Sequence, residues 1–184
     1  MTRRQTYYTL AVMALALIVL GGNAIVSVGN IRRLAEREHW VAHTRAVISD
    51  LQTILADVTN ASAAQRAYLL IGNDSLLSPA RGARAHCEAT LVDLRTQTID
   101  MPEQTRRTDA LRQACNEAFD NIDATLLVDR HDPANTSQFL SLVHQSTQIM
   151  DQIRNLVDEM DRFEKDRLGE RTEASAQSLH NTIV

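Results

Sequence analysis

The chain has 184 residues, 19 of them basic and 23 acidic, for a formal net charge of −4. Aromatics at 4%, six glycines and three prolines are too few for the strands and frequent turns of a β-sandwich or barrel. A hydrophobic content of 44% excludes wholesale disorder, two cysteines exclude a disulfide-dense scaffold, and the acidic balance argues against a nucleic-acid partner. What remains is an all-α protein.

The first element is a run without charge from Gln5 to Asn30, strongly apolar between Ala11 and Gly22. As a helix it is roughly 39 Å long, against about 30 Å of bilayer hydrocarbon. Tyr7 and Tyr8 sit at its edge, and Arg3, Arg4, Arg32 and Arg33 bracket it, the layout of an N-terminal transmembrane helix. The rival is a cleaved signal peptide with Gly22-Asn23-Ala24 as the cleavage site. The apolar run passes that site and reaches Val28, which favours a retained anchor. The short tail suits the cytoplasm, and the long segment after Asn30 is expected outside, because long segments translocate largely regardless of charge.

Three breaks cut the remainder into four helical pieces. Gly72-Asn73-Asp74-Ser75 and Asp100-Met101-Pro102-Glu103 each combine a stop with a restart, and Asp129 to Ser137 is a polar loop. The first piece carries an apolar seam through Trp40, Thr44, Val47, Leu51, Ile54, Val58, Ala61, Gln65 and Tyr68, in steps of three and four. The second runs Leu76, Ala80, Ala83, Cys87, Leu91, Leu94, and the third Leu111, Cys115, Ala118, Ile122, Leu126. The fourth runs from Phe139 through Leu142, Ser146, Ile149, Ile153, Leu156 and Met160 to Phe163. Short connections make such helices antiparallel neighbours, so the predicted architecture is an elongated up-down-up-down four-helix bundle. Its domains are a cytoplasmic tail and transmembrane helix (1–30), the bundle (31–172) and a juxtamembrane helix (173–184) leading to a second span that the 184 residues do not contain.

No phosphate-binding glycine loop, nucleophile elbow or haem-attachment motif occurs, so no catalytic residue and no cofactor is assigned. His39 and His43 share a helix face, with Glu36 one turn earlier. They are weak metal candidates beside the simpler reading of a solvated face. The acidic stretch Asp120-Asn121-Ile122-Asp123, with Asp129 and Asp132 beyond, lacks calcium-loop spacing and reads as a solvated face, and the alternating charges from Asp158 to Arg171 suit an exposed helix or a dimer edge. Gln65 is a polar amide on an apolar seam, either watered at an open end or engaged in packing or ligand coupling. Cys87 and Cys115 are equidistant from Met101 in the predicted turn and should face each other. A disulfide is chemically permitted outside the cytoplasm. Helix axes about 8–10 Å apart strain the Cα separation of about 4.4–6.8 Å that a disulfide wants, and two buried free thiols are the alternative.

The string Gln65-Arg66-Ala67-Tyr68-Leu69-Leu70-Ile71-Gly72-Asn73 resembles the QRGYLLTGD core of the third type of CHASE domain. His43-Thr44 with Val47 is similar to that family's HT-x-x-V opening. Met150-Asp151-Gln152-Ile153-Arg154 resembles its MD-x-IR, and Glu164, Leu168 and Arg171 its closing E-x-x-x-L-x-x-R. The family's E-T-G before QR is replaced by Ser62-Ala63-Ala64, and Ala67 stands for a glycine, so any contact made through that carboxylate is in doubt. The resemblance implies an extracytoplasmic four-helix sensor of a bacterial histidine kinase, diguanylate cyclase or chemoreceptor. It lies in the inner membrane between two spans, ahead of a cytoplasmic output module. On this reading the chain is not itself an enzyme, the full receptor is a homodimer and the stimulus is unknown. The competing expectations are a membrane-anchored bundle that only mediates protein association, and a metal-binding envelope protein.

Overall fold

The computed structural model describes the backbone of residues 3–128 and 132–183. Side chains are described for 38–128 and 132–173, with a scatter at 13, 17, 20–24, 27–29 and 31. Four α-helices account for the architecture: α1 (Arg3–Ile71), α2 (Ala83–Thr98), α3 (Pro102–Leu127) and α4 (Thr136–Ile183). No strand occurs among the described residues. The chain divides into two compact units, Met1–Ala42 and His43–Val184.

In the first unit the backbone is helical from Arg3. Its described apolar side chains, Met13, Leu17, Leu20, Val28 and Ile31, are all at least half exposed. Among the described residues no helix is long and apolar enough to cross a membrane. Most side chains of the predicted span Gln5–Asn30 lie outside the described residues. Trp40, placed at the head of the first seam, belongs to this unit and stands 37% exposed, its ring edge-on to His39 with centroids 5.8 Å apart.

The second unit is the four-helix bundle. Its core follows the predicted seams: Val47, Leu51, Ile54, Val58 and Ala61 from α1; Cys87, Leu91 and Leu94 from α2; Leu111, Cys115, Ala118 and Ile122 from α3; Ile149, Ile153 and Met160 from α4, with Val157 beside them. Burying each large aliphatic side chain contributes about 1.5–3 kcal/mol before entropy is charged. Cross-helix hydrogen bonds fix the directions. Gln97 of α2 donates to Asp50 of α1 (2.7 Å), and His86 meets Asp57 (2.7 Å). Gln104 of α3 donates to Glu164 of α4 (3.0 Å), and Asn121 to the Leu142 carbonyl (3.1 Å). In each pair rising numbers on one helix meet falling numbers on the next, which is up-down-up-down.

Two segments depart from expectation. The second helix was expected from Leu76, but α2 begins at Ala83. Gly72 ends α1 with φ +75°, its N–H on the Tyr68 carbonyl at 2.7 Å, the left-handed helix stop that glycine permits. Asn73 then caps a single 3-10 turn, Asp74–Leu77, by accepting from the Ser75 N–H (3.0 Å). Pro79 brings no N–H, and Gly82 at φ +93° cannot continue a right-handed helix, so α2 starts only beyond it. Leu76, Leu77 and Ala80 nevertheless stay half-buried. The second departure is in α4, where the run Asp158 to Arg171 is not wholly an exposed face: Glu164 is 2% exposed. In the connection before α4, Asp132 caps a short 3-10 turn (Pro133–Asn135) through the Ala134 N–H, while Asp129 and His131 lie outside the described residues.

Candidate functional site

The bundle has two unlike ends, and the motif residues divide between them. One end gathers the start of α1's bundle portion, the α2–α3 turn and α4 near Glu164. It is closed by buried polar bonds. The amide of Gln104, fully buried, donates to Glu164 Oε1 at 3.0 Å, and Arg107 donates to Gln104 Oε1 at 3.3 Å. Thr98 and Thr108 hydroxyls meet at 3.3 Å across the hairpin. Two guanidiniums approach the Phe163 ring, Arg107 at 5.7 Å and Arg167 at 6.0 Å from its centroid, and Arg167 also reaches the Met101 sulfur. Burial and Arg167 lower the pKa of the Arg171 guanidinium, and Glu164 pulls it back up. Glu164 and Arg171 thus act on each other, with Leu168 half-buried between them.

The other end gathers the C-termini of α1 and α3 and the N-termini of α2 and α4. Gln65, 4% exposed, donates from Nε2 to the Ile122 carbonyl at 3.2 Å, so it is a packing residue tying α1 to α3. Arg66 is exposed, Tyr68 and Leu69 are half-buried, and Leu70 is 84% exposed. Leu127 at 87%, Ile71 at 70% and Leu140 at 60% leave this end uncovered as well. Asn121, 5% exposed, donates to Leu142 and to Gln145 Oε1 (3.4 Å), while its own Oδ1 is buried with no partner among the described residues. Asp120 and Asp123, expected to be merely solvated, both engage Arg84, the latter at 3.3 Å, and that guanidinium lies 5.7 Å from the Phe119 ring.

The MD-x-IR residues lie on α4 between the ends. Ile153 is fully buried and Met150 half-buried, and Asp151 and Arg154 pair on the surface at 3.2 Å. Cys87 and Cys115 are brought together as two buried free thiols rather than a disulfide. The hydrogen bond from Cys87, then burial, pushes the Cys115 thiol pKa far up. His39 and His43 fall in different units, and the Glu36 side chain lies outside the described residues. No group of three potential metal ligands occurs among the described residues.

Sequence reasoning missed Gln104, Thr108 and Asn121. A signal existed for the first two: Gln104 and Thr108 continue the Leu111 seam backwards in the same three- and four-residue steps. Asn121 falls beside that line and carried none.

The profile of the CHASE3 domain matches residues 37–174, well over half of the chain and all but the final turns of the bundle. Neither a curated protein nor a solved structure matches.

Proposed function

The chain belongs to the CHASE3 domain family, sensory domains of signalling receptors, and from that premise we propose that it is the extracytoplasmic input region of a transmembrane bacterial receptor of the kinase, cyclase or chemoreceptor type. The carrying observation is that α1 enters the bundle and α4 leaves it at the same, closed end, the one bridged by Gln104–Glu164. A stimulus acting on the bundle would reach the membrane as a small displacement of α1 against α4, a sliding of packed helices. It can do so only if two packings exist that the stimulus separates in energy. The residues from Gln5 to Asn30 serve as the anchor. Support comes from the charge-free run and from Met13, Leu17, Leu20 and Val28, whose exposure suits lipid better than water. The bundle itself performs no chemistry, and the full receptor works as a homodimer in the inner membrane.

The test is topological. Protease added to intact spheroplasts carrying the full chain should cleave the bundle while a cytoplasmic marker survives. Cleavage seen only after lysis would overturn the extracytoplasmic placement and the input role with it.

A further inference from the structure

The uncovered end of the bundle contains a partly enclosed cavity of about 230 Å³. Its floor is Ala61 of α1 with Phe119 and Ile122 of α3, all buried, and its walls are Leu77 and Leu126, both half-buried. The space arises where the chain fails to be a helix. The 3-10 turn and the Pro79–Gly82 bend stand where the first turns of a helix would, and small residues, Ala61 and the core-packed Ala80, line the gap. An apolar hollow at the end of a packed core forgoes dispersion contacts that an occupant would restore.

The mouth has a definite charge. Arg81, Arg84 and Asp123 line it. Arg84 is engaged by Asp120 and Asp123 together. Arg81 has no carboxylate among the described residues, so one guanidinium at the rim is left over. A planar guanidinium pairs best with a carboxylate, through two parallel hydrogen bonds. Asp123 beside it disfavours a second negative charge on the same occupant. The volume limits the rest, since about 150 Å³ suffices for benzene in an engineered apolar cavity. We propose that this cavity binds a small monocarboxylate with an aromatic or short aliphatic body, its carboxylate on Arg81 and its body against Phe119, Ile122 and Ala61. The site is placed to matter: its floor includes α1 itself, and Ile122 is the residue whose carbonyl holds Gln65. An occupant therefore bears on the α1–α3 contact, and the inference rests on the sensory reading for its purpose but not for its chemistry.

The experiment uses the full chain in lipid nanodiscs, with empty nanodiscs as the blank. Benzoate and hexanoate are titrated by calorimetry and saturation-transfer NMR beside benzyl alcohol and hexanol. Saturable binding of the carboxylates, at least tenfold weaker for the alcohols, is the expected result. Arg81→Gln, an exposed change, should weaken the carboxylates about tenfold or more, and Ala80→Leu should block them by filling the gap, both with the helical spectrum and melting temperature retained. Absence of saturable binding, or equal affinity in Arg81→Gln, overturns the proposal. A bundle that is outside the cytoplasm yet binds no carboxylate defeats this inference alone. A bundle protected in spheroplasts defeats the sensory reading whatever it binds.

Discussion

The two ends of the bundle bury comparable helices and solve the ending differently. The closed end pairs most of its buried polar groups, Gln104 on Glu164 and Thr98 on Thr108, with Arg107 and Arg167 about Phe163, while Gln97 Oε1 beside them is buried with no partner among the described residues. The open end leaves Leu70, Ile71, Leu127 and Leu140 in solvent, and its cavity is walled in part by a 3-10 turn. A buried hydrogen-bond network has few alternative arrangements, because a shift leaves further polar groups unpaired at a cost of about 1–3 kcal/mol each. Loosely covered apolar surface has no such penalty. The closed end thus holds α1 and α4 in register, and the open end is the less constrained of the two.

That contrast fails most visibly if the closed end proves tolerant. Gln104→Leu strands a buried carboxylate and should destabilise the chain by about 3 kcal/mol, read from chemical or thermal unfolding in nanodiscs. The double variant Gln104→Leu with Glu164→Leu removes the pair together and should recover most of that loss, since replacing both sides of a buried polar pair is nearly neutral and Arg107 keeps Glu103 and Glu159. Equal losses in the single and double variants would mean that the network is not the source of the closed end's stability.

Midway between the ends the two thiols supply a pH test. Native Cys115 holds its proton at pH values where the unfolded chain has released it, because Cys87 and burial disfavour the thiolate. Above the ordinary thiol pKa of about 8.5 the unfolded state therefore binds fewer protons, and stability falls as pH rises, by at most about 1.4 kcal/mol per pH unit for one thiol. Cys115→Ala should flatten the decline of melting temperature between pH 8.5 and 10, roughly the window that the ordinary thiol pKa sets. Identical slopes in parent and variant would show that this thiol does not titrate as its surroundings require.

The smallest effects belong to the open end. Gln65→Leu loses the one hydrogen bond that its amide donates to the Ile122 carbonyl, a cost of about 1 kcal/mol. Leu70→Ser and Leu127→Ser should each stay within about 0.5 kcal/mol of the parent, as exposed substitutions do. A loss of 2 kcal/mol or so at either leucine would reveal that this end is covered in solution and would dissolve the comparison.

Most of the bundle was legible in the sequence because a heptad-like seam is a local, periodic signal: the steps through Val47, Leu51, Ile54 and Val58, or through Ile149, Ile153 and Met160, require a buried face whatever lies opposite. The helix stop at Gly72 and the restart at Pro102 were equally local, since each depends on one residue's backbone freedom. The start of α2 was harder to see, because Leu76 and Ala80 continue the apolar line while Pro79 and Gly82 break the helix that would carry it. Whether Glu164 was an exposed charge or a buried partner could not be decided on α4 alone. Its place depends on Gln104, sixty positions earlier on another helix, and a hydrogen bond across a core has no periodicity to betray it. The same holds for Gln65 on Ile122, and for the cavity, a space bounded by residues from four segments. Which faces must be hidden from water can be read along the chain, because hydrophobicity and backbone propensity are properties of neighbouring residues. Which polar group meets which, and where the packing leaves room, follows from the folded arrangement, because both depend on what is brought opposite.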